Sequence, residues 1–445
     1  MSLKNKLQSR IVTFLFSAKT RAFKRRWAEC RRVLARKPHT VSVFLELDDP
    51  YSYLLSRHIP ELQSRYDIKL EIHLTQALGE AFRPHADMLA AYAEQDCARL
   101  AREMGIPFLD KGQVPPVEHR RALIDALAGS EQLASYDNDV LEAIGLYWRG
   151  DTQGVARRLS GAELSGQGDA LLQRSQKLLA RLGHYDAATI HYAGEWYWGV
   201  DRLHYLTDRL DALGVRKPDA SPSRLASVRQ LATMSLPVSP PSSAAELPPL
   251  ELFYSVSSPY SYLALQRACD IADAFGLQLE IRPVLPMVMR GMQVPKAKLR
   301  YIAGDVFREA EQLNIPLGKF NRPLGVSAER CLATFFYALG EKKQRDYLRY
   351  AGEAIWTQGT DLASDTGLRK ITGRTGLFWP EVKAALASDD WRPLVDENRA
   401  SMMMSGCWGV PALRLGDFTV WGQDRLWLLV RHIEEQCDTG DGILI

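Results

Sequence analysis

One stretch of the sequence occurs twice, and this repeat constrains the fold more than any other feature. Residues 43–54 read VFLELDDPYSYL and residues 252–263 read LFYSVSSPYSYL, an offset of 209 residues. The same offset holds through two further matches, 70–72 with 279–281 and 105–107 with 314–316. A later match, WGVDRL at 198–203 with WGQDRL at 421–426, is offset by 223. The pattern predicts one duplicated domain, whose first copy is shorter between the matches by 223 minus 209, or 14, residues.

Each copy begins with the same local pattern. In the second copy an apolar strand sequence from Leu250 leads into Ser257-Ser258-Pro259 and then into helix-forming residues. A serine followed by proline is typical of a helix start, so Ser258 is predicted to cap the helix. A second strand follows in both copies, and then a long helical stretch, at about 85–180 and again at about 296–400. A β-hairpin and a final helix complete each copy, which predicts an α/β fold.

The length and composition agree with two domains. A chain of 445 residues, 46% hydrophobic and 24% charged, is typical of a globular protein with two or three domains. Residues 216–249 contain seven prolines, which favours an exposed linker over a core. We predict a basic arm at 1–38, a first domain at 39–215, a linker at 216–248, a second domain at 249–437 and a tail at 438–445.

Charge is concentrated in the N-terminal arm. Residues 1–37 hold twelve Lys or Arg and one acid, Glu29, whereas the rest of the chain carries 44 basic and 52 acidic residues. Aromatic residues such as Phe23 and Trp27 are interleaved with these cations. The arm therefore fits a basic amphipathic helix on an anionic membrane surface, a nucleic-acid contact, or a solvated helix docked on the body. No nucleic-acid partner is expected from the rest of the chain.

The sequence lacks the common motifs of several other enzyme classes. It has no P-loop, no dinucleotide-binding glycine motif, no HExxH and no GxSxG. The six cysteines are scattered, with no CxxC and no metal-ligand spacing. They are predicted to be mostly buried thiols in a reducing, cytoplasmic compartment, and no metal site is expected. No apolar run approaches the length of a membrane span.

Four motifs in the second copy carry a family resemblance. They are Ser257 to Leu263, Arg282 to Leu285, Gly409 to Ala412 and Trp421 to Leu426. In this order they resemble the DsbA-like superfamily, and within it 2-hydroxychromene-2-carboxylate isomerases and kappa-class glutathione transferases. The resemblance implies two tandem thioredoxin-like domains, each with a mixed central sheet and an inserted helical subdomain.

The resemblance also implies a site. Ser258 and Ser261 stand where a redox thioredoxin-fold protein has its two cysteines, so no disulfide can form there. In the resembled families the serine aligned with Ser258 holds the thiolate of glutathione, which attacks an unsaturated organic substrate. Val410, before a cis Pro411, is implied to pair with the cysteinyl portion. Asp424, assisted by Gln423, is implied to bind the γ-glutamyl group, although a favourable charge at a helix start explains Asp424 equally well.

The sequence departs from the family pattern in places. Residues 286–291 read PMVMRG where the isomerases usually have a Gly-Gly-type turn and a Lys, and Arg290 stands near the Lys position. The methionines of this stretch fit either core packing or an apolar cleft, with core packing favoured. In the first copy Asp49 replaces Ser258, and Ala188 replaces Pro411. A carboxylate repels a thiolate, so the first copy is predicted to keep the fold without the site.

The sequence therefore predicts a glutathione-dependent isomerase or transferase of small apolar organic substrates, acting in the second domain. Ser258 would be catalytic, and Val410, Pro411, Gln423 and Asp424 would bind glutathione. The first alternative is a non-catalytic tandem scaffold or binding protein. The second is a disulfide oxidoreductase, which the missing CxxC argues against.

Overall fold

Two sheets with the same strand order organise the chain. In the computed structural model of the protein, the structure describes residues 3–76, 78–79, 82–108, 117–160, 166–221 and 228–440. The strands are β1 Thr40–Glu46, β2 Lys69–Thr75, β3 Thr189–Tyr192, β4 Glu195–Trp198, β5 Leu250–Tyr254, β6 Leu279–Pro283, β7 Ala412–Leu415 and β8 Phe418–Trp421. One sheet has the order β2-β1-β3-β4 and the other β6-β5-β7-β8.

Both sheets are mixed. The first strand of each pairs in parallel with the second and antiparallel with the third, and the third and fourth form a hairpin. Because β1 and β5 lie between two neighbours, their residues read as apolar runs, and Leu250, Leu252, Phe253 and Tyr254 of β5 are all at most 1% exposed. The strand–helix–strand openings and both hairpins predicted from the sequence are confirmed.

Helices make up most of the rest of the described chain. Those before β5 are α1 Leu3–Phe16, α2 Ala18–Leu34, α3 Pro50–Arg65, α4 Ala86–Met104, α5 Val117–Ser130, α6 Tyr136–Trp148, α7 Thr152–Ser160, α8 Gly168–Leu182, α9 Leu203–Ala212 and α10 Val228–Leu231. Those after it are α11 Pro259–Phe275, α12 Lys296–Gln312, α13 Val326–Gly340, α14 Gln344–Trp356, α15 Asp365–Thr375, α16 Trp379–Leu386, α17 Trp391–Met404 and α18 Leu426–Gly440. Short 3₁₀ turns occur at Val200–Arg202, Ser242–Glu246, Met287–Arg290 and Gln423–Arg425.

The chain divides into two compact units. The C-terminal unit comprises Met1–Arg21, Ala232–Val294 and Ile302–Ile445, and the N-terminal unit comprises Ala22–Leu231 and Pro295–Tyr301. Each unit contains one sheet. None of the described helices is long and apolar enough to cross a membrane.

The segment between the two sheets differs from the exposed linker predicted. It contains α10 and the 3₁₀ turn Ser242–Glu246, and its Val228 and Ala244 are 6% and 1% exposed. The prediction of an exposed linker is therefore wrong at Val228 and Ala244, and its residues 222–227 lie outside the described residues. The physical reason is that small and apolar side chains between prolines can still pack on a neighbouring surface: Pro240 lies close to Gly276, the residue that ends α11.

Equivalent hydrogen bonds recur inside each unit. The Tyr51 hydroxyl donates to Asp96 at 2.8 Å, and 209 residues later the Tyr260 hydroxyl donates to Asp305, also at 2.8 Å. At an offset of 223, the Gly199 N–H donates to the Ala188 carbonyl at 2.7 Å, and the Gly422 N–H donates to the Pro411 carbonyl at 2.8 Å. The repeat in the sequence thus corresponds to a repeat of tertiary contacts.

Candidate functional site

The start of α11 is capped by Ser258. The Ser261 N–H donates to the Ser258 hydroxyl oxygen at 3.2 Å, and Pro259 occupies the first turn, where a missing N–H costs nothing. This confirms the cap predicted from the sequence. Ser258 is half-buried, and its hydroxyl oxygen is held in place by this cap.

Ser258 also reaches the loop before β7. Its hydroxyl donates to the Val410 carbonyl at 3.3 Å, and the peptide bond between Val410 and Pro411 is cis. The cis bond expected from the sequence is thus present. Ser258, Val410 and Pro411 therefore lie at one place.

The helix start offers hydroxyl chemistry and a positive field. The first amides of an α-helix lack intrahelical acceptors and carry the positive end of the helix dipole. Ser261, at the position of the second cysteine in a redox protein, is fully buried, and its oxygen accepts a bond from the Ser255 N–H at 3.4 Å. Ser258, which is half-buried, is therefore the more accessible serine of this pair. A serine hydroxyl there can donate a hydrogen bond to an anion but cannot exchange disulfides.

Gln423 is placed differently from Ser258. It is 2% exposed, and its side-chain oxygen accepts a bond from Arg267 at 2.6 Å. Its amide nitrogen donates to Glu309 at 2.8 Å and also to Asp424. The Gln423 side chain is thus engaged inside the protein, where it links the middle of α11 to the 3₁₀ turn Gln423–Arg425 that leads into α18. Asp424 itself is half-exposed.

This network was not visible in the sequence. Burial lowers the pKa of Arg267, while the negative charges of Asp424 and Glu309 act in the opposite direction. A buried cation needs such partners, because leaving it unpaired would cost several kcal/mol, of the order of 3–5. The one signal that the sequence offered was Arg267, the only charged residue between Tyr262 and Cys269 of α11.

Arg290 lies beside the same loop. One of its terminal nitrogens donates to the Trp408 carbonyl at 2.9 Å, two residues before Val410. Its Nε and Nη2 atoms are buried and have no hydrogen-bond partner in the described chain. Burial, together with the positive charge of Arg399, lowers the pKa of Arg290 to about 10, so the group stays charged at neutral pH.

A second arginine, Arg322, adjoins a residue that is bonded to the segment before α11, and no sequence motif pointed to it. The Ser257 hydroxyl donates to the Pro323 carbonyl, which holds the loop around residue 323 against the residues that precede α11. Arg322 in this loop is half-buried, burial lowers its pKa, and it makes no hydrogen bond or ion pair to described residues. Only tertiary structure brings residue 322 close to residue 257.

The methionines of the 286–291 stretch and its flank are neither fully buried nor exposed. Met287, Met289 and Met292 are all half-buried, and the turn Met287–Arg290 contains no buried residue. The core packing favoured at these positions is therefore incomplete, because the 3₁₀ turn leaves their side chains partly accessible. Met402, in contrast, is fully buried.

The equivalent place in the N-terminal unit has different chemistry. Asp49 caps α3 and accepts bonds from the Ser52 N–H at 2.8 Å and the Ser52 hydroxyl at 2.7 Å. Burial raises the pKa of Asp49, with Arg83 acting against it. Burial also raises the pKa of Glu46 to about 8, although Arg83 lies 2.8 Å away. Ala188, opposite, has a φ of 51°.

A family match covers the second sheet and the helices that follow β5. Residues 249–434 match the DSBA-like thioredoxin domain family. This part of the chain is a DsbA-like thioredoxin domain. It accounts for fewer than half of the residues, and no family is assigned to the N-terminal unit by this match.

Two curated relatives carry the same name. The chain is 27% identical over 198 residues to a 2-hydroxychromene-2-carboxylate isomerase of Pseudomonas putida, covering 42% of this chain and 95% of the relative. It is 26% identical over 192 residues to a 2-hydroxychromene-2-carboxylate isomerase of Sphingobium xenophagum, covering 41% and 97%. Named enzymes are therefore among the relatives of this domain.

Two solved structures have similar chains. A 2-hydroxychromene-2-carboxylate isomerase is 24% identical with a TM-score of 0.39, covering 44% of this chain and 99% of that chain. The cytosolic disulfide reductase DsbM from Pseudomonas aeruginosa, solved with GSH, is 18% identical with a TM-score of 0.32, covering 42% and 98%.

Within the described residues, no group of three or more His, Cys, Asp or Glu side chains is arranged to hold a metal ion. Five of the six cysteines are buried, which confirms the expectation of mostly buried thiols. The exception is Cys30, which is exposed.

Proposed function

We propose that the DsbA-like domain is a glutathione-dependent isomerase or transferase in which the Ser258 O–H leaves the Val410 carbonyl and donates its hydrogen bond to the glutathione thiolate instead. The observation that carries this proposal is the position of the Ser258 hydroxyl, at the start of α11 and 3.3 Å from the carbonyl that precedes the cis proline. A charge-assisted hydrogen bond contributes about 1.5–3 kcal/mol, and the helix dipole adds to it. Both favour the ionised thiol, which is the nucleophile.

We assign the rest of glutathione to the neighbouring backbone and to α18. Val410 would pair its backbone groups with the cysteinyl portion, beside Pro411. Asp424, half-exposed at the start of the last helix, would accept the γ-glutamyl ammonium. Gln423 would contribute by holding Asp424 in place, because its own amide is already bonded to Arg267 and Glu309.

The organic substrate is proposed to carry an acidic group on an apolar body. Arg290 is charged at neutral pH, and two of its buried nitrogens lack partners, which is costly unless an anion binds there. The partly accessible Met287 and Met289 on the same turn suit an apolar body. Trp408 and Val410 are two residues apart, so their Cα atoms are separated by no more than about 8 Å. The Arg290 and Ser258 contacts are therefore close together, and the named relatives act, by their name, on a carboxylate.

We further propose that the N-terminal unit is a second thioredoxin-like domain that arose by duplication. The proposed boundaries are 39–215 and 249–437, joined by 216–248. The shared strand order and the recurrent hydrogen bonds support this origin. Free cysteines are consistent with a reducing compartment such as the cytoplasm.

Calorimetry with two ligands tests the thiolate assignment. Reduced glutathione should bind the full-length protein more tightly than S-methylglutathione above neutral pH, because only the former offers a thiolate to Ser258. Ser258→Ala should abolish the difference, and Asp424→Asn should weaken both ligands. Asp201→Asn, at the equivalent position of the N-terminal unit, is the matched control and should change neither.

Two results would favour the alternatives. Absence of any heat with reduced glutathione would support a non-catalytic scaffold. Turnover in an insulin-reduction assay would support a disulfide oxidoreductase, which the serines at 258 and 261 argue against.

A further inference from the structure

Helix α2 is docked through one face. The guanidinium of Arg25 makes a bidentate pair with Glu195, with both distances 2.7 Å, inside the N-terminal unit. Ala28, Glu29 and Arg32, which follow Arg25 at helical spacing, are half-buried on the same side. This face fixes the orientation of the helix.

The opposite face of α2 is apolar and exposed. Phe23, Trp27 and Leu34 are 68%, 60% and 85% exposed, and Cys30 between them is also exposed. Their spacing of four, three and four residues places them on one stripe, about half a turn from the docked face. We call these four residues the α2 stripe.

Cations flank the α2 stripe. Lys24, Arg26 and Arg31 are all exposed and lie to either side of it. The one acid of the helix, Glu29, is on the other side and pairs with Arg32 at 2.6 Å. The outward surface is thus apolar along its centre and positive along its edges.

Helix α1, in the C-terminal unit, repeats this design. It docks through Ser9, whose oxygen accepts from the Phe320 N–H at 2.7 Å, and Thr13, which donates to the Gly318 carbonyl at 2.9 Å. The opposite face carries Leu7, Ile11 and Phe14, at 59%, 48% and 69% exposure. These residues are the α1 stripe.

Such exposure is concentrated in the arm. Of the 18 large hydrophobic side chains exposed in the described chain, eight fall within residues 7–34. Scattered exposed apolar residues are ordinary, but two helical stripes opposite two docked faces are not. They indicate a surface that receives a partner.

We propose that the α2 stripe binds an anionic lipid bilayer, with its helix lying in the plane of the interface, and that the α1 stripe, taken by itself, does the same. Aromatic and aliphatic side chains partition into the boundary between headgroups and acyl chains, and flanking Lys and Arg meet the lipid phosphates. A nucleic acid would satisfy the cations but leave Leu34 and Ile11 in water. A second copy would bring like charges together at the stripe edges. This inference is independent of the glutathione site.

Cys30 provides a direct probe. It lies in the α2 stripe, and the other five cysteines are buried, so a polarity-sensitive fluorophore can be attached there selectively. With the full-length protein, vesicles of phosphatidylcholine and phosphatidylglycerol should shift the emission to the blue. Phosphatidylcholine alone should give little shift, and added salt should weaken binding to the mixed vesicles.

Variants in unlabelled protein separate the two contributions in a vesicle co-sedimentation assay. Trp27→Ser should lower the partition coefficient about tenfold or more, since a large apolar side chain no longer leaves water. Arg26→Gln and Arg31→Gln should each lower it about fivefold. The matched control is Phe378→Ser, which removes an aromatic side chain of similar exposure, 62%, elsewhere in the chain and should leave binding unchanged.

Three outcomes would overturn the proposal. The first is no co-sedimentation with the anionic vesicles. The second is co-sedimentation without a change in the Cys30 probe, which would place the contact elsewhere. The third is a blue shift that depends on protein concentration in the absence of lipid, which would assign the stripes to a contact between copies of this chain.

Discussion

The substitution Ser258→Asp separates the helix cap that Ser258 makes from the thiolate contact proposed for it. As a helix cap, Asp is as good as Ser, and the N-terminal unit already uses Asp49 in this way, with the Ser52 N–H at 2.8 Å. The free energy of unfolding should therefore change by less than about 1 kcal/mol. Beside a bound thiolate, Asp is unfavourable, because it replaces a hydrogen-bond donor with a second negative charge.

The magnitude of the second effect can be worked out. Losing a charge-assisted hydrogen bond costs about 1.5–3 kcal/mol. Two negative charges about 4 Å apart repel by about 4 kcal/mol at the effective dielectric constant of about 20 found near protein surfaces. At 1.36 kcal/mol per unit, the pKa of the bound glutathione thiol should rise by about 4–5 units in Ser258→Asp.

Ser258→Ala provides the contrast. It removes the donor without adding a charge, so the thiol pKa should rise by about 1–2 units. It also removes the cap, so unfolding should become easier by about 1 kcal/mol. The two variants therefore rank differently in the two measured quantities. The alanine variant should be the less stable of the two, and the aspartate variant should have the higher pKa of the bound thiol.

Two measurements check this order. Ultraviolet absorbance of the thiolate, followed against pH with glutathione bound, gives the thiol pKa, and urea denaturation gives the stability. A bound thiol whose pKa in Ser258→Asp stays within about half a unit of the wild-type value, above the pH at which the aspartate ionises, would refute the contact between Ser258 and the sulfur.

Three further predictions concern other parts of the chain. Gly409→Ala should destabilise the C-terminal unit by about 1–3 kcal/mol in urea denaturation, since a Cβ there would lie 2.4 Å from the Trp421 ring; unchanged stability would show that the ring can move freely. Glu46→Gln should stabilise the protein relative to wild type increasingly as pH rises from about 4.5 to about 8. The pKa of Glu46 in the folded protein, about 8, is above its unfolded value of 4.5. The protonated wild-type carboxyl therefore favours folding below about pH 4.5, and this stabilisation is lost as pH rises from 4.5 to 8. If the melting temperatures of the two proteins change in parallel with pH, the raised pKa of Glu46 is contradicted. Asp49→Ala should cost about 1 kcal/mol of stability, as loss of a cap does, and leave glutathione binding unchanged; weaker binding would show that the N-terminal unit takes part.

The structural features that could be predicted from the sequence are those set by residues close together in the chain. The strand into Ser257-Ser258-Pro259, the cap and the hairpin around Gly416 are set by neighbours in the chain, and all three are present. The cis bond before Pro411 was expected from a family resemblance, and it is also present. Each depends on residues a few positions apart.

The rest required contacts between distant residues. Gln423 was predicted to face glutathione, but Arg267 and Glu309, 156 and 114 residues away, engage its side chain. The loop that contains Arg322 is held beside the segment before α11 by a hydrogen bond from Ser257 to the Pro323 carbonyl, 66 residues away. Amphipathic spacing cannot encode such pairings, because it reports which face of a helix is buried and not what lies against it.

The tyrosine–carboxylate bond that occurs in both units has a broader use. Because Tyr51–Asp96 persists beside Asp49, the same bond beside Ser258 serves the architecture and says nothing about chemistry. Comparing equivalent positions of the two units thus distinguishes structural hydrogen bonds from those that serve a ligand. Hydrogen bonds that occur in both halves can be ascribed to folding. Hydrogen bonds that occur in one half only are where selection for a ligand should be sought. The Arg267–Gln423 pair is an example, because the other half has His58 and Val200 at these positions.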